Sequence, residues 1–254
     1  MWNPFDFTGK KIIIAGATSG MGKAAAVRLS EQGAQVVLLG RNEEKLKETL
    51  ELLSGSGHSF YVKDFSVSGG YTEIFNDIVK DGKKIDGLVY CAGIAKILPI
   101  TLLKKETMEE SMTVNLYSFA EMVGVFSKKK YHDKASVVGI SSIAALYPQK
   151  CQGIYVATKT AMNGMVASMA LELASKDIRI NTVMPASTDT AMLRESFEGK
   201  TEEEIKDALK CQVLGMAQPE DIADIILFLL SDASRMITGR EIYADGGYLD
   251  FFAE

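Results

Sequence analysis

Histidine is scarce in this chain of 254 residues, which holds His58 and His132 and no others. Two isolated imidazoles provide neither a His-built metal site nor a Ser-His-Asp relay. Cysteine is scarce too. Cys91, Cys151 and Cys211 are odd in number and far apart, with no Cys-x-x-Cys, so the chain shows neither a disulfide framework nor a thiolate metal cage. Long apolar runs are missing: the longest aliphatic and aromatic run, Ile225 to Leu230, falls far short of the roughly 20 residues that cross a bilayer. The opening Met-Trp-Asn-Pro-Phe-Asp-Phe-Thr lacks a charged-then-apolar leader. Positive charge is in deficit, 28 Lys and Arg against 33 Asp and Glu, which argues against nucleic acid and anionic membranes as partners. The one basic run, Lys128-Lys129-Lys130, reads as a solvated helix end. These absences together predict a cytoplasmic protein with reduced thiols and no metal, whose acid-base chemistry rests on other side chains.

What is present is an alternation. At 47% hydrophobic and 24% charged, the chain can bury one large core. Short apolar, β-branched runs predict strands at 11–15, 35–39, 59–62, 85–90, 135–140, 178–184 and 241–244. Between them lie helical stretches, the longest at 108–130 and 155–176. No repeat, low-complexity tract or linker interrupts the series, so residues 1–254 read as a single domain. Strands alternating with helices imply right-handed crossovers and an α/β, doubly wound, mostly parallel seven-stranded sheet with helices on both faces. The stretch 186–216, between the sixth strand and the next helix, is long enough to form a substrate lid.

Between the first strand and the first helix stands Gly16-Ala-Thr-Ser-Gly20-Met-Gly22. Glycines let a phosphate approach the backbone, and the first amides of the helix point at the anion. The spacing differs from Gly-x-Gly-x-x-Gly, so it points to a dinucleotide without fixing a family. After the second strand, where an acidic residue would accept a ribose 2'-hydroxyl, come Gly40 and Arg41. Space and a guanidinium fork favour a 2'-phosphate, hence NADP(H) over NAD(H); the alternative for Arg41 is an ion pair with Glu44. Asp64 ends the third strand, placed either to cap the next helix or to accept an adenine amino group. Cys91-Ala92-Gly93 after the fourth strand leaves room for a cofactor against the backbone, with Cys91 a small buried residue rather than a nucleophile.

Three further features are chemical. Ser141 and Ser142 end the fifth strand, at the edge where parallel sheets bind ligands. Tyr155 and Lys159 lie one helical turn apart, where an ammonium near a phenol would favour the phenolate. Asn115 is an amide among apolar neighbours. The stripe Met162, Met165, Met169 and Leu173 reads as core or subunit interface.

Taken in order, Gly16-x-x-x-Gly20-x-Gly22, Asn115, Ser142, Tyr155-x-x-x-Lys159, Pro185 with Thr190, and Asp245-Gly246-Gly247 resemble the short-chain dehydrogenase/reductase family, over about Lys10 to Tyr248. The resemblance implies an NAD(P)-dependent enzyme interconverting a small-molecule carbonyl and a secondary alcohol. Tyr155 would be the acid/base, Ser142 the donor to the reacting oxygen, Lys159 the holder of the nicotinamide ribose, and Asn115 the holder of a water on the proton path. It implies cofactor contacts from Gly16, Thr18, Ser19, Gly20, Met21 and Gly22, from Arg41, Asp64 and Phe65, from Ala92 and Gly93, and from Pro185, Thr188 and Thr190 besides Tyr155 and Lys159. A homo-oligomer, dimer or tetramer, packed through the two long helices is also implied. Departures from the pattern are Ala15 for threonine, Tyr90-Cys91 for Asn-Asn, and Ala186 for glycine. A closer resemblance to 3-oxoacyl-[acyl-carrier-protein] reductases is the alternative, with Lys128 to Lys130 facing an acidic carrier. Against it, Leu171 stands where those reductases carry arginine. A non-catalytic NADP(H)-binding sensor or scaffold is the alternative of another class.

Overall fold

All seven predicted strands form one parallel sheet in the computed structural model, which describes residues 3–199 and 201–248. They are β1 (Lys11–Ala15), β2 (Gln35–Gly40), β3 (Ser59–Val62), β4 (Gly87–Tyr90), β5 (Ala135–Ile140), β6 (Ile178–Pro185) and β7 (Glu241–Ala244). Their spatial order is β3-β2-β1-β4-β5-β6-β7. The chain winds outward from β1 to β3, returns to lay β4 against the other side of β1, and then winds the opposite way. A crevice opens at that reversal, beyond the carboxyl ends of β1 and β4, where doubly wound sheets take their ligands.

The strands read as continuous apolar runs because both faces are covered. In β1, Ile13 and Ala15 belong to one core cluster and Ile12 and Ile14 to the other, as period-two side chains must. The first cluster packs the sheet against α3 (Tyr71–Ile78), α5 (Ser118–Phe126) and α6 (Gly153–Leu173). The second packs it against α1 (Gly20–Glu31), α2 (Glu43–Glu51) and α9 (Pro219–Leu230). The methionine stripe is intramolecular core: Met162 and Leu173 are buried, and Met165 and Met169 pack on the first cluster. The solvent face of α6 is instead made of small residues, Gly153, Ala157, Thr160, Gly164 and Ala167, with Leu171 at its end.

The helix expected over 108–130 differs in its interior and its end. It comprises α4 (Lys105–Met112), a π turn over Thr113–Tyr117, and α5. It stops at Phe126 because Tyr131 must turn inward to stack edge-on with Phe75, centroids 5.5 Å apart, which leaves the three lysines in an exposed turn. The 186–216 stretch contains α7 (Ala191–Ser196) and α8 (Glu202–Leu209). None of the helices among the described residues is long and apolar enough to cross a membrane.

Candidate active site

The loop from β1 to α1 folds as it does because it has no side chains in the way. Gly16 has φ +83°, and a Cβ there would lie 2.5 Å from the backbone nitrogen of Ala92. A Cβ on Gly22 would lie 2.2 Å from the Gly16 carbonyl oxygen. The β1–α1 loop is therefore pressed flat against Ala92 at the end of β4. Ser19 is the N-cap of α1, yet no side chain caps the helix, so its first amides carry no side-chain cap of the chain's own. Thr18 packs on Gly40, where a Cβ would come within 2.7 Å of the Thr18 methyl.

Arg41 follows on the surface. Asn42 caps α2 by accepting from the Lys45 amide at 2.9 Å. Lys47 occupies Glu43 and Glu44, at 3.0 and 3.2 Å. The Arg41–Glu44 pair considered from sequence is therefore not formed, and the guanidinium charge acts instead on Asp64. Asp64 accepts from the Ser66 amide and the Ser66 hydroxyl, each at 2.8 Å, and those bonds hold its carboxyl below the usual range, Arg41 adding to the effect. It does not cap the next helix, because α3 begins at Tyr71 with Gly70 at its N-cap. The Phe65 ring points into the core, edge-on to Tyr90 with centroids 5.6 Å apart.

On the other side of the crevice, Ser142 follows β5; its Oγ accepts from the Ala144 amide at 3.1 Å, and it lines the same cleft as Tyr155. Tyr155 stands in the first turn of α6 and Lys159 in the next. Lys159 is buried, and its Nζ donates to the Ile140 carbonyl at 2.7 Å, lying 5.6 Å from the Tyr155 ring centroid. Behind it is Asn115, fully buried in the π turn. Its Oδ1 accepts from the Ile94 amide at 2.8 Å, while its Nδ2 donates to the Ile94 carbonyl at 2.9 Å and to Thr158 Oγ1 at 3.0 Å. The Thr158 hydroxyl in turn donates to the Tyr155 carbonyl at 2.8 Å. A Cβ on Gly93 would lie 3.5 Å from Asn115 Oδ1 and 3.6 Å from Lys159 Nζ, so the absent side chain leaves backbone facing both groups.

The acidities depart from expectation. Burial raises the Tyr155 pKa, and the Ser142 hydroxyl beside it opposes that rise. Burial also lowers Lys159 to about 8. The ammonium is directed to the Ile140 carbonyl and sits over the ring, so its charge is not spent on the phenolic oxygen. The unfolded chain keeps a lysine proton up to pH of about 10.4. Between about 8 and that value the unfolded state binds more protons than the folded one, so the contribution of Lys159 to stability rises with pH across this window. Comparing urea midpoints at about pH 7.5 and about pH 9.5 should show the cofactor-free protein gaining about 2 kcal/mol that Lys159→Met does not gain.

Met21, Ser142, Tyr155, Pro185, Thr188 and Thr190 line one cleft of about 320 Å³. Lys159, Asn115 and Gly93 stand behind it; Gly16, Gly20 and Gly22 form the adjoining loop, with Ala92 pressed against it; Arg41 and Asp64 mark the far end of the crevice. Thr190 meets the loop directly, its methyl 3.1 Å from where a Gly20 Cβ would be, and its Oγ1 caps α7 through the Leu193 amide at 3.3 Å. Met192, Leu193 and Phe197, from the stretch read as a lid, form part of the cleft wall. These groups fit a dinucleotide: a helix N-terminus with no side-chain cap for a pyrophosphate, a half-buried glycine at 93, and an exposed guanidinium at the β2 end. Thr158, Ile94 and the Ile140 carbonyl bear no sequence signal for this role, Ile94 and Ile140 acting through main-chain atoms that no side-chain pattern marks.

A family model described as enoyl-(acyl carrier protein) reductase matches residues 16–249. The 3-oxoacyl-[acyl-carrier-protein] reductase of Thermotoga maritima is 32% identical, the alignment covering 94% of this chain and 97% of that protein. The NAD-dependent glycerol dehydrogenase of Listeria innocua is 30% identical, with 96% and 95% covered. Among solved structures, a 3-oxoacyl (acyl-carrier-protein) reductase from Agrobacterium tumefaciens with NADP bound superposes with a TM-score of 0.87 at 26% identity, covering 96% of each chain. The chain belongs to the short-chain dehydrogenase/reductase family. It is an oxidoreductase of that family, built on a Rossmann-type fold, and NAD(P)(H) is the cofactor class the family binds.

As a short-chain dehydrogenase/reductase it departs from the family pattern at Ala186, Cys91 and Tyr90. Ala186 avoids positive φ, so that backbone has no need of glycine. Burial pushes the Cys91 thiol up to about 12, which leaves it protonated and no nucleophile. Tyr90 is fully buried and forms its own hydrogen bond, to the Val114 carbonyl.

Proposed function

We propose that the protein interconverts a small-molecule carbonyl and a secondary alcohol with NADP(H), Tyr155 serving as acid/base. The observation that carries this reading is the convergence of Ser142 and Tyr155 on one cleft, with Lys159 a turn behind and a glycine loop beside them. When bound, the nicotinamide supplies or takes up the hydride. The chain's own residues do the rest. The Ser142 and Tyr155 hydroxyls bind and orient the substrate oxygen, and burial that keeps Tyr155 protonated suits it to donate in the reducing direction. Lys159 holds positive charge beside the cofactor ribose, and Asn115 fixes the Ile94 backbone. Thr18, Ser19, Met21, Asp64, Ala92, Thr188 and Thr190 belong to the same cofactor reading; the buried Phe65 ring limits its part to the main chain.

Preference for NADP(H) rests on Arg41, which none of the ion pairs among the described residues engages. In Arg41→Ala, the Kd for NADPH should rise about tenfold or more while that for NADH changes less than twofold, read by nucleotide fluorescence titration. Equal affinity for both nucleotides in the wild type, unaltered in the variant, would count against a 2'-phosphate site.

The substrate reading is tested by NADPH oxidation with acetophenone, ethyl acetoacetate, xylulose and acetoacetyl-coenzyme A as probes. Turnover of free ketones supports the general reading. Turnover confined to acyl-carrier thioesters selects the second, 3-oxoacyl-[acyl-carrier-protein] reduction, which the likeness to the Thermotoga relative favours. The stretch 186–216 serves as the lid of this single domain. The small-residue face of α6 supports close helix pairing in a homo-oligomer, and the composition supports a cytoplasmic setting.

A further inference from the structure

We infer that Tyr90 is a positioning residue: its hydroxyl, by holding the Val114 carbonyl, fixes the π turn that carries Asn115 and so sets the back wall of the active site. Tyr90 ends β4 and is fully buried, and its OH donates to the Val114 carbonyl at 2.5 Å. Val114 lies in the Thr113–Tyr117 π turn, where the Ser118 amide reaches back five residues to the Thr113 carbonyl. Such a turn takes carbonyls out of the ordinary helical ladder, and a buried carbonyl needs a donor from elsewhere. The phenol is that donor.

The next residue, Asn115, is gripped from the same segment. Ile94, four residues beyond Tyr90, exchanges two hydrogen bonds with the Asn115 amide, at 2.8 and 2.9 Å. The end of β4 thus clamps two successive residues of the turn, Tyr90 on Val114 and Ile94 on Asn115. A third bond closes the far side, from Ser118 Oγ to the Phe65 carbonyl at 2.7 Å. The Tyr90 ring is itself fixed between Phe65 and Phe119, with centroids at 5.6 and 5.4 Å. An asparagine at position 90, as in the family pattern, is too short to reach the Val114 carbonyl, so this clamp belongs to this chain's own sequence.

The inference rests on the proposed reaction for its kinetic arm only. Tyr90→Phe keeps the ring and removes the donor. With whichever carbonyl probe turns over fastest, kcat should fall about tenfold with KM for NADPH within about twofold. On an Asn115→Ala background the same change should lower kcat less than about twofold further, because the two residues act as one unit. An equal fall on both backgrounds overturns the inference. In the cofactor-free protein, hydrogen exchange should quicken about tenfold or more at Ile94 and over 113–118, with β1 and β5 unchanged. Uniform loss of protection across the sheet would mark a merely structural role and overturn it as well. If no probe turns over with the wild type, the reaction reading fails while the exchange arm still decides the clamp. Should Tyr90→Phe not fold, the wild type decides: exchange over 113–118 as slow as in β4 supports a held turn, and exchange about a hundredfold faster sinks it.

Discussion

Tyr155→Phe should lower kcat by about three orders of magnitude while NADPH still binds and the fold persists. Removing a positioned general acid typically costs two to four orders of magnitude. The ring itself keeps its place at the start of α6, and Ser142, in the same cleft, retains its bond from the Ala144 amide. Thermal unfolding should therefore move by no more than about 1 kcal/mol equivalent. The measurement is single-turnover NADPH oxidation beside nucleotide titration. A variant that binds NADPH and turns over every accepted substrate at the wild-type rate would defeat the enzymatic role given to Tyr155 and leave the sensor or scaffold reading in possession.

Gly22→Ala should be the most damaging single methyl in the molecule. Its Cβ would meet the Gly16 oxygen at 2.2 Å, the Gly16 carbon at 2.9 Å and the Cys91 Cβ at 3.1 Å. Two of these are backbone atoms that cannot step aside without moving the whole loop. Overpacking of this kind costs about 3 kcal/mol, and any relief must lift the β1–α1 turn away from Ala92, the surface on which the cofactor would lie. Urea denaturation should show that loss, and NADPH affinity should drop at least about tenfold. Wild-type stability and affinity together in Gly22→Ala would contradict the packing of this loop.

The sheet was legible because parallel strands covered on both faces are written as unbroken apolar runs, and β1, β3, β5 and β7 begin and end where those runs do. The residues lining the cleft were legible for a different reason: Ser142, Tyr155 and Thr190 lie at strand ends or first helical turns, where the chain order itself foretells proximity. The π turn was not, because one extra residue in a helical turn barely disturbs a 3.6-residue periodicity. Asp64 was left between two roles since a carboxylate before Ser66 can close on its own neighbour, and it does. The Lys159 charge was misjudged through a main-chain atom: the Ile140 carbonyl that takes the ammonium carries no mark in a sequence.

The position of β1 has a bearing on synthesis. Its two neighbours are β2, which follows at once, and β4, whose synthesis is not complete until residue 90 has been added. At about 5–20 residues per second, the interval from the end of β3 to the end of β4 lasts roughly 1–6 seconds. During it the nascent chain can pair β1, β2 and β3, but the inner edge of the fully apolar Ile12–Ala15 ladder has no occupant. Once β4 docks, β5, β6 and β7 each add to the growing margin in the order they are made. The gap from 63 to 86 is thus the one in which the centre of the sheet, rather than its growing margin, stands open.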